Sequence, residues 1–392
     1  MSSVRRLGSR EVARLRGSLW PMPLLAVTLA VALGILMPRL DEAVESGDPG
    51  HPLAFVFGGG PAAARDLLAA IAGSLISVTG VTFSLTVVAL QLGSSQYSPR
   101  LLQTFVSDRV VQFTLAQLVG TFVYALTVLR TVRTAEATEG QDAFVPRLSI
   151  SLAYLATLGS VAALVLFLGH LARSLRVETM LRDVHDEARG TWSRALPSDE
   201  EEPRRTAAEL SGIPVIVAAR GSGFVVGVDE DLLVAGAREA GVTLQLVPRM
   251  GDSVVDGTPV AHAWLLSGSP PVDPAELERA VQRGVRLAHE REPDRDVAYS
   301  LRKVVDIAGR ALSPGINDPT TAVHALSLVS VMLGELVSRP AHPRRRQDQD
   351  GELRLIVPQW EHRALLGLGL EEPLQYASGQ PAVLRRIAAF AA

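Results

Sequence analysis

Four stretches of the chain carry apolar residues over a length that suits a bilayer: Leu19 to Met37, Leu67 to Leu92, Val110 to Leu129 and Leu148 to Leu171. At about 1.5 Å of rise per residue, each approaches or exceeds the roughly 20 residues that cross ~30 Å of hydrocarbon. The pattern predicts four transmembrane helices. Beyond them the apolar positions regroup. Leu171, Leu175, Val177, Leu181 and Val184 recur at threes and fours and predict a charged helical stalk to about Trp192. Short β-type runs follow at Ile213 to Ala218, Gly223 to Val228, Val242 to Val247 and Ser253 to Trp264, with a capped helix over Asp231 to Gly241. Helical spacing resumes at Pro274 to His289, Asp296 to Leu312 and Pro319 to Val337. Arg339 to Gly351, rich in Arg, Pro, Gln and Asp, reads as a solvated loop, and a strand from Leu353 to Val357 and a helix from about Pro381 close the pattern.

The fold expected is therefore an integral membrane α-helical protein with four transmembrane helices and a cytoplasmic α+β domain. The divisions are 1–172 for the membrane part, 173–205 for a helical stalk and linker, 206–270 for a small β-rich module and 271–392 for a mainly helical domain. The linker follows from Pro197 to Arg205, where Glu200, Glu201 and Glu202 lie between prolines. Gly251 to Val260 has the pattern of the return hairpin of barrel-sandwich modules, but no lysine lies there to carry a cofactor. Ser98-Pro99 starts a short amphipathic elbow between the second and third spans, a capping hydroxyl followed by proline at the first helical position.

Charge sets the orientation. Arg5, Arg6, Arg10, Arg14 and Arg16 precede the first span, whereas Asp41, Glu42, Glu45 and Asp48 follow it, so the positive-inside rule puts the N-terminus in the cytoplasm. Four crossings return the chain to that side, where Arg173, Arg176 and Arg182 follow the fourth span. Acidic residues after the first span, in place of a small-residue cleavage site, favour a retained helix over a signal peptide. The expected location is the bacterial inner membrane, multi-pass, with both termini cytoplasmic. The chain has no cysteine, which excludes disulfides, thiolate catalysis and cysteine-bound metals. Lys303 is the one lysine among 38 basic residues, and a net charge of −3 gives no nucleic-acid footprint.

The second span is the most informative stretch. Gly73, Ser77, Gly80, Ser84 and Gln91 share one helical face, and Thr79, Thr82 and Thr86 make an adjacent strip. One reading is close helix packing, since small residues four apart let backbones approach. The other is a pore wall, in which hydroxyls and the Gln91 amide replace an ion's water. No Asp, Glu, Lys or Arg lies inside the four spans, which argues against a carrier built on buried charge.

In the second half, Ser313-Pro314-Gly315-Ile316-Asn317-Asp318-Pro319 stops one helix and starts the next. Asp318 suits an N-cap and Pro319 a first helical residue. The competing reading is a small-ligand or ion site using Ser313, Gly315, Asn317 and Asp318. His185-Asp186-Glu187 has metal-ligating residue types, but neighbours on a helix point apart, so no metal site is expected. There is no HExxH, GxSxG, Walker loop or dinucleotide fingerprint, and neither an enzyme nor a cofactor is expected.

Two segments carry a resemblance: Ser77-Val78-Thr79-Gly80-Val81-Thr82-Phe83-Ser84-Leu85-Thr86, continuing through Gln91 to Ser98-Pro99-Arg100, and Ala311 to Pro319. The chain resembles, over nearly its whole length, the bacterial predicted-membrane-protein family known as domain of unknown function twenty-two fifty-four. The resemblance implies a shared architecture and brings no catalytic or binding residues with it.

The expectation from sequence is an oligomeric inner-membrane protein, an ion channel or pore lined by its second span and regulated by its cytoplasmic domain. Its partners are the lipid bilayer, further copies of itself and an ion or small molecule, and not nucleic acid. The alternative is a non-conducting membrane scaffold or signalling receptor. A weaker third is a membrane enzyme using Asn317 or Asp318.

Overall fold

The computed structural model describes residues 20–45, 57–96, 108–133, 143–196, 210, 212–266, 273–293 and 295–391. The N-terminal arginines, most of the elbow that begins at Ser98-Pro99 and the Pro197 to Arg205 linker lie outside them. The chain divides into two units, Met1–Arg176 and Val177–Ala392.

The first unit holds α1 (Pro21–Glu45), α2 (Pro61–Gln96), α3 (Arg109–Leu129) and α4 (Arg147–Ser174). Helix α3 packs against each of the other three. Its Leu118, Ala125 and Val128 meet Leu68, Ile71 and Leu75 of α2, Ala30 of α1 and Ile150 and Ala153 of α4 in one apolar cluster. Small residues permit the closest approach between α1 and α3. A Cβ on Gly34 would stand 2.6 Å from Thr127 Cβ, and one on Gly120 would stand 3.4 Å from Ala26 Cβ. A second cluster joins Val111 and Leu115 of α3 to Phe167 of α4.

The second unit contains α5 (Val177–Ala195), α6 (Glu230–Glu239), α7 (Pro274–Gly284), α8 (Val297–Ala311), α9 (Pro319–Val337), α10 (His362–Tyr376) and α11 (Pro381–Ala391). Its strands are β1 (Val215–Ala218), β2 (Gly223–Val228), β3 (Val242–Leu246), β4 (Ser253–Val254), β5 (Pro259–Leu265), β6 (Val285–Ala288), β7 (Arg344–Gln347) and β8 (Leu353–Val357). They form a five-stranded sheet, β1-β5-β3-β8-β7, and a three-stranded sheet, β4-β2-β6. Only β3 and β8 pair in parallel. The β-rich module expected over 206–270 thus takes three further strands from beyond residue 270. Leu233 and Ala237 of α6 and Leu277 and Val281 of α7 cover the sheet residues Val217, Leu244, Leu246, Ala261 and Leu355.

Several helix starts follow directly from the sequence. Asp108, Asp229, Asp273, Asp296 and Asp318 each accept a backbone N–H from the first turn of α3, α6, α7, α8 and α9, and proline follows at Pro274 and Pro319.

Other elements differ from the pattern. The helix expected to reach His289 ends at Gly284, where a Cβ would stand 2.5 Å from Leu233, and Val285 to Ala288 pair with β2 instead. The loop expected over Arg339 to Gly351 contains β7, which pairs with β8. Its Arg344 and Arg346 reach Glu230 at 3.1 and 2.7 Å, so acidic residues of α6 neutralise an arginine-rich edge strand. Helix α10, missed in the sequence, contains Gly367, Gly369 and Pro373. Close packing explains one of them, since a Cβ on Gly369 would stand 2.9 Å from Leu333. The helix expected as a stalk, α5, buries Met180, Leu181, Val184, Ala188 and Trp192 within the second unit.

Among the described residues five helices, α1 to α4 and α9, are long and apolar enough to cross a membrane. The expected count of four therefore does not follow from length and apolarity alone. In α9, Ala322, Ala325, Leu326, Val329, Met332, Leu333 and Leu336 are buried in the second unit, where the helix packs with α5, α8, α10 and α11.

Candidate functional site

Helix α2 separates its two polar strips. Thr82 and Thr86 are buried and Thr79 is half-buried, whereas Gly73, Ser77, Gly80, Ser84 and Gln91 lie on a face that the rest of the unit leaves uncovered. A Cβ on Gly73 or Gly80 would meet nothing within 4 Å. Ser77 Oγ donates to Gly73 O at 3.0 Å, Thr79 Oγ1 to Leu75 O at 2.7 Å, Thr82 Oγ1 to Val78 O and Thr86 Oγ1 to Thr82 O, both at 2.8 Å. Back-bonding of this kind satisfies these four hydroxyl hydrogens inside the helix and leaves the oxygen lone pairs as acceptors.

The seam between α3 and α4 carries polar contacts at three levels. At the α3 start, Asp108 Oδ1 accepts the Val110 N–H at 2.8 Å, and its other oxygen stands 2.5 Å from His170 Nε2. Ser174 Oγ is 3.2 Å from the same ring nitrogen. Because both neighbours use Nε2, the trio is not a serine–histidine–acid relay, which needs both ring nitrogens. In the middle, Gln117 Nε2 donates to Ala156 O at 3.2 Å, and Ser160 Oγ lies 3.0 Å from Thr121 Oγ1. At the far end, Tyr124 Oη donates to Ser149 O at 3.1 Å. There Asp41 of α1 accepts the backbone N–H groups of Leu148 and Ser149 at 2.8 and 3.0 Å and the Ser149 hydroxyl at 2.6 Å. Asp41 thus caps a helix other than its own, placing a carboxylate where the α4 dipole is positive.

Neither pair was found in the sequence. His170 lies within the fourth span, where the absence of Asp, Glu, Lys and Arg conceals it, and α1 runs beyond Met37 to include Asp41.

The Ser313 to Asp318 turn is internally satisfied. The N–H of Asn317 donates to Ser313 O at 2.9 Å, that of Asp318 to Ala311 O at 2.8 Å, and Ser313 Oγ to Arg310 O at 2.7 Å. Asn317 has a φ of 49°, and its Oδ1 accepts from Gln380 Nε2 at 2.8 Å, tying the turn to the start of α11. Asp318 Oδ1 accepts the N–H groups of Thr320 and Thr321, both at 3.1 Å, and Oδ2 accepts the Thr321 hydroxyl at 2.6 Å. The Thr321 hydroxyl and backbone hydrogen bonds hold the Asp318 carboxyl below the usual carboxylate range. Gly315 has open space around it.

His185, Asp186 and Glu187 do not converge. His185 Nε2 faces Glu335 at 3.2 Å, while Glu187 receives the Lys303 ammonium at 2.8 and 3.0 Å. Among the described residues no three His, Asp or Glu side chains are grouped to hold a metal ion. Lys303 is fully buried, with its ammonium 4.9 Å from the Tyr299 ring centroid. The first turn of the same helix is held by Asp296, buried beside Arg291 at 2.6 Å. Burial pushes the Asp296 carboxyl up, against the opposing pull of Arg291.

Apolar helices of spanning length in the first unit, in a chain that also carries an α+β unit, make this a multi-pass membrane protein. The chain belongs to the family described as predicted membrane protein DUF2254, which it matches over residues 16–392. It is similar to the uncharacterized protein MT1328 of Mycobacterium tuberculosis (strain CDC 1551 / Oshkosh), with 32% identity over 374 residues, 94% of this chain and 70% of the relative. The uncharacterized protein Mb1321c of Mycobacterium bovis (strain ATCC BAA-935 / AF2122/97) matches with the same identity and coverage. No solved structure matches the chain significantly.

Proposed function

We propose that the protein is an oligomeric channel of the bacterial inner membrane, with α2 helices around a shared axis and the second unit regulating the path. In this reading α1 to α4 are the spans, both termini are cytoplasmic, and α9 is a core helix of the cytoplasmic unit. The burial of seven α9 side chains supports that assignment. The observation that carries the channel reading is the uncovered α2 face, where Ser77, Ser84 and Gln91 alternate with glycines on a helix of spanning length. Polar side chains in hydrocarbon face protein or water, so a uniformly lipid-facing role does not suit them. Outward hydroxyl oxygens form a wall of acceptors and favour cations.

A second reading has its own support. Gly73 with Ser77 and Gly80 with Ser84 are small pairs four residues apart, which suits a tightly packed, non-conducting scaffold or receptor.

Flux of K⁺, Na⁺ and Cl⁻ into liposomes separates the two. A channel gives cation flux that Ser84→Leu reduces at least several-fold in protein that remains folded. A scaffold gives none, and the same substitution dissociates its oligomer.

A further inference from the structure

The geometry points to a nucleoside-phosphate site on the open face of the five-stranded sheet. Successive residues of a strand point to opposite faces, and residues paired between strands point to the same one. Leu244, Leu246, Ala261 and Leu355 face α6 and α7, so the residues between them face the other way. Register then sets Ile216 of β1, His262 of β5, Gln245 of β3, Ile356 of β8 and Arg345 of β7 in one row. Trp264 of β5 and Arg354 of β8 share the next level, with β3 between them. The β7 arginines follow the same alternation, since Arg344 and Arg346 reach Glu230 of α6 while Arg345 is exposed on the far side.

This face has polar groups to spare. Ile216 is 61% exposed at its edge, and His262, Trp264 and Gln245 are half-buried. Among the described residues, the Trp264 N–H, the His262 ring nitrogens, the Gln245 amide and the Arg345 guanidinium have no hydrogen-bond or ion-pair partner. Exposed groups of this kind bond to water, but Arg354 lacks that outlet. It is 9% exposed, its Nε donates to Asp348 Oδ2 at 2.6 Å, and its Nη1 is buried without an acceptor. A buried donor on a charged group is costly to leave unpaired, so an acceptor is missing at this point.

The order of chemistry across the strands selects the ligand. On β5 the His262 and Trp264 rings stand perpendicular with centroids 5.7 Å apart and make an aromatic corner. On β3 the Gln245 amide offers both donors and an acceptor. On β8 and β7, Arg354 and Arg345 present guanidinium groups, which suit phosphate oxygens. Base, sugar and phosphate follow one another in the same order, and two strand spacings of ~4.8 Å put about 10 Å between Trp264 and Arg354. The base stacks in the aromatic corner, the Gln245 amide meets base or ribose, and the phosphate supplies the acceptor that Arg354 lacks. It also neutralises Arg345, which no carboxylate does.

Other occupants fit less well. Five strands make a face about 24 Å wide and about 15 Å long, roughly 360 Å², well below the ~800 Å² per partner of a stable dimer. Single-stranded RNA on a sheet stacks successive bases on several aromatic side chains of a basic domain, whereas this face has one aromatic corner and the chain a net charge of −3. The site lies wholly within the second unit and does not depend on conduction along α2.

Calorimetric titration of the full chain in nanodiscs with ribonucleoside mono- and triphosphates, beside the free nucleosides and inorganic phosphate, tests the site. At least one nucleotide should bind with a Kd below about 1 mM, and more tightly than its nucleoside or phosphate alone. Trp264→Ala should weaken that binding about ten-fold, as loss of an aromatic stack does, and Trp264→Phe, which keeps a ring, should weaken it less. Arg345→Ala should weaken the nucleotide several-fold and leave the nucleoside unchanged, whereas Arg344→Ala, on the covered side, should alter neither. No binding by any nucleotide overturns the site, as does affinity that survives both Trp264→Ala and Arg345→Ala in folded protein. Phosphate binding as tightly as the nucleotides, or an oligonucleotide binding at least ten-fold more tightly than they do, overturns it as well.

Discussion

The carboxylate of Asp41, near the end of α1, stands 2.6 Å from the hydroxyl of Ser149 in the first turn of α4 and accepts that residue's backbone N–H as well. One side chain thus closes the start of a helix more than 100 residues away. Asp41→Ala leaves two N–H groups and a buried hydroxyl without this acceptor, a cost of about 1–3 kcal/mol. Thermal unfolding of the purified protein in detergent should show a lowered midpoint, with Asp41→Asn falling between the two.

Close approach of α1 and α3 depends on Gly34, whose added Cβ would meet Thr127 Cβ at 2.6 Å. Gly34→Val is expected to cost about 1–3 kcal/mol through overpacking. Gly80→Ala enters open space and should leave unfolding of the protomer unchanged, so the pair of variants read by the same melt isolates the helix contact.

Lys303→Met strips Glu187 of its partner inside the second unit. The expected loss is about 2 kcal/mol, less than for a fully enclosed pair because Glu187 is partly exposed. The double variant Lys303→Met with Glu187→Met should recover part of it, since no unpaired charge remains. Additive losses in the double-mutant cycle would mean that the pair is not coupled.

Asp318 gives a pH dependence with a definite sign. Its carboxyl is depressed in the folded state, so its contribution is present above the ordinary carboxyl value of ~3.9 and is lost as pH falls through the lower folded value. Asp318→Asn keeps the α9 cap and removes this titration. The wild type should lose more stability than the variant between about pH 5 and pH 2. At neutral pH Asp318→Ala should cost about 1 kcal/mol for the lost cap.

What the sequence disclosed was mostly local. The Pro319 to Val337 helix and the Leu353 to Val357 strand coincide with α9 and β8, because apolar spacing and a capping aspartate act over a few residues. Contacts over long separations were hidden. Nothing near Arg344 signals a strand until Glu230 is brought to it, and nothing near Lys303 announces Glu187 across 116 residues. The α2 face was legible as a periodic pattern, but its division into covered threonines and uncovered serines depends on where α3 packs. His170 and Asp108 are 62 residues apart, and only helix pairing joins them.

The most direct measurement of an α2-lined path is thiol accessibility in conducting liposomes, on a chain without native cysteine. With Ser77→Cys and Ser84→Cys, a charged, membrane-impermeant thiol reagent should block cation flux, whereas Ile76→Cys and Phe83→Cys, exposed on a different strip of the helix, should be insensitive. Flux that persists unchanged after reagent at Ser77 and Ser84, or no flux from folded oligomers, would contradict a permeation path along this helix.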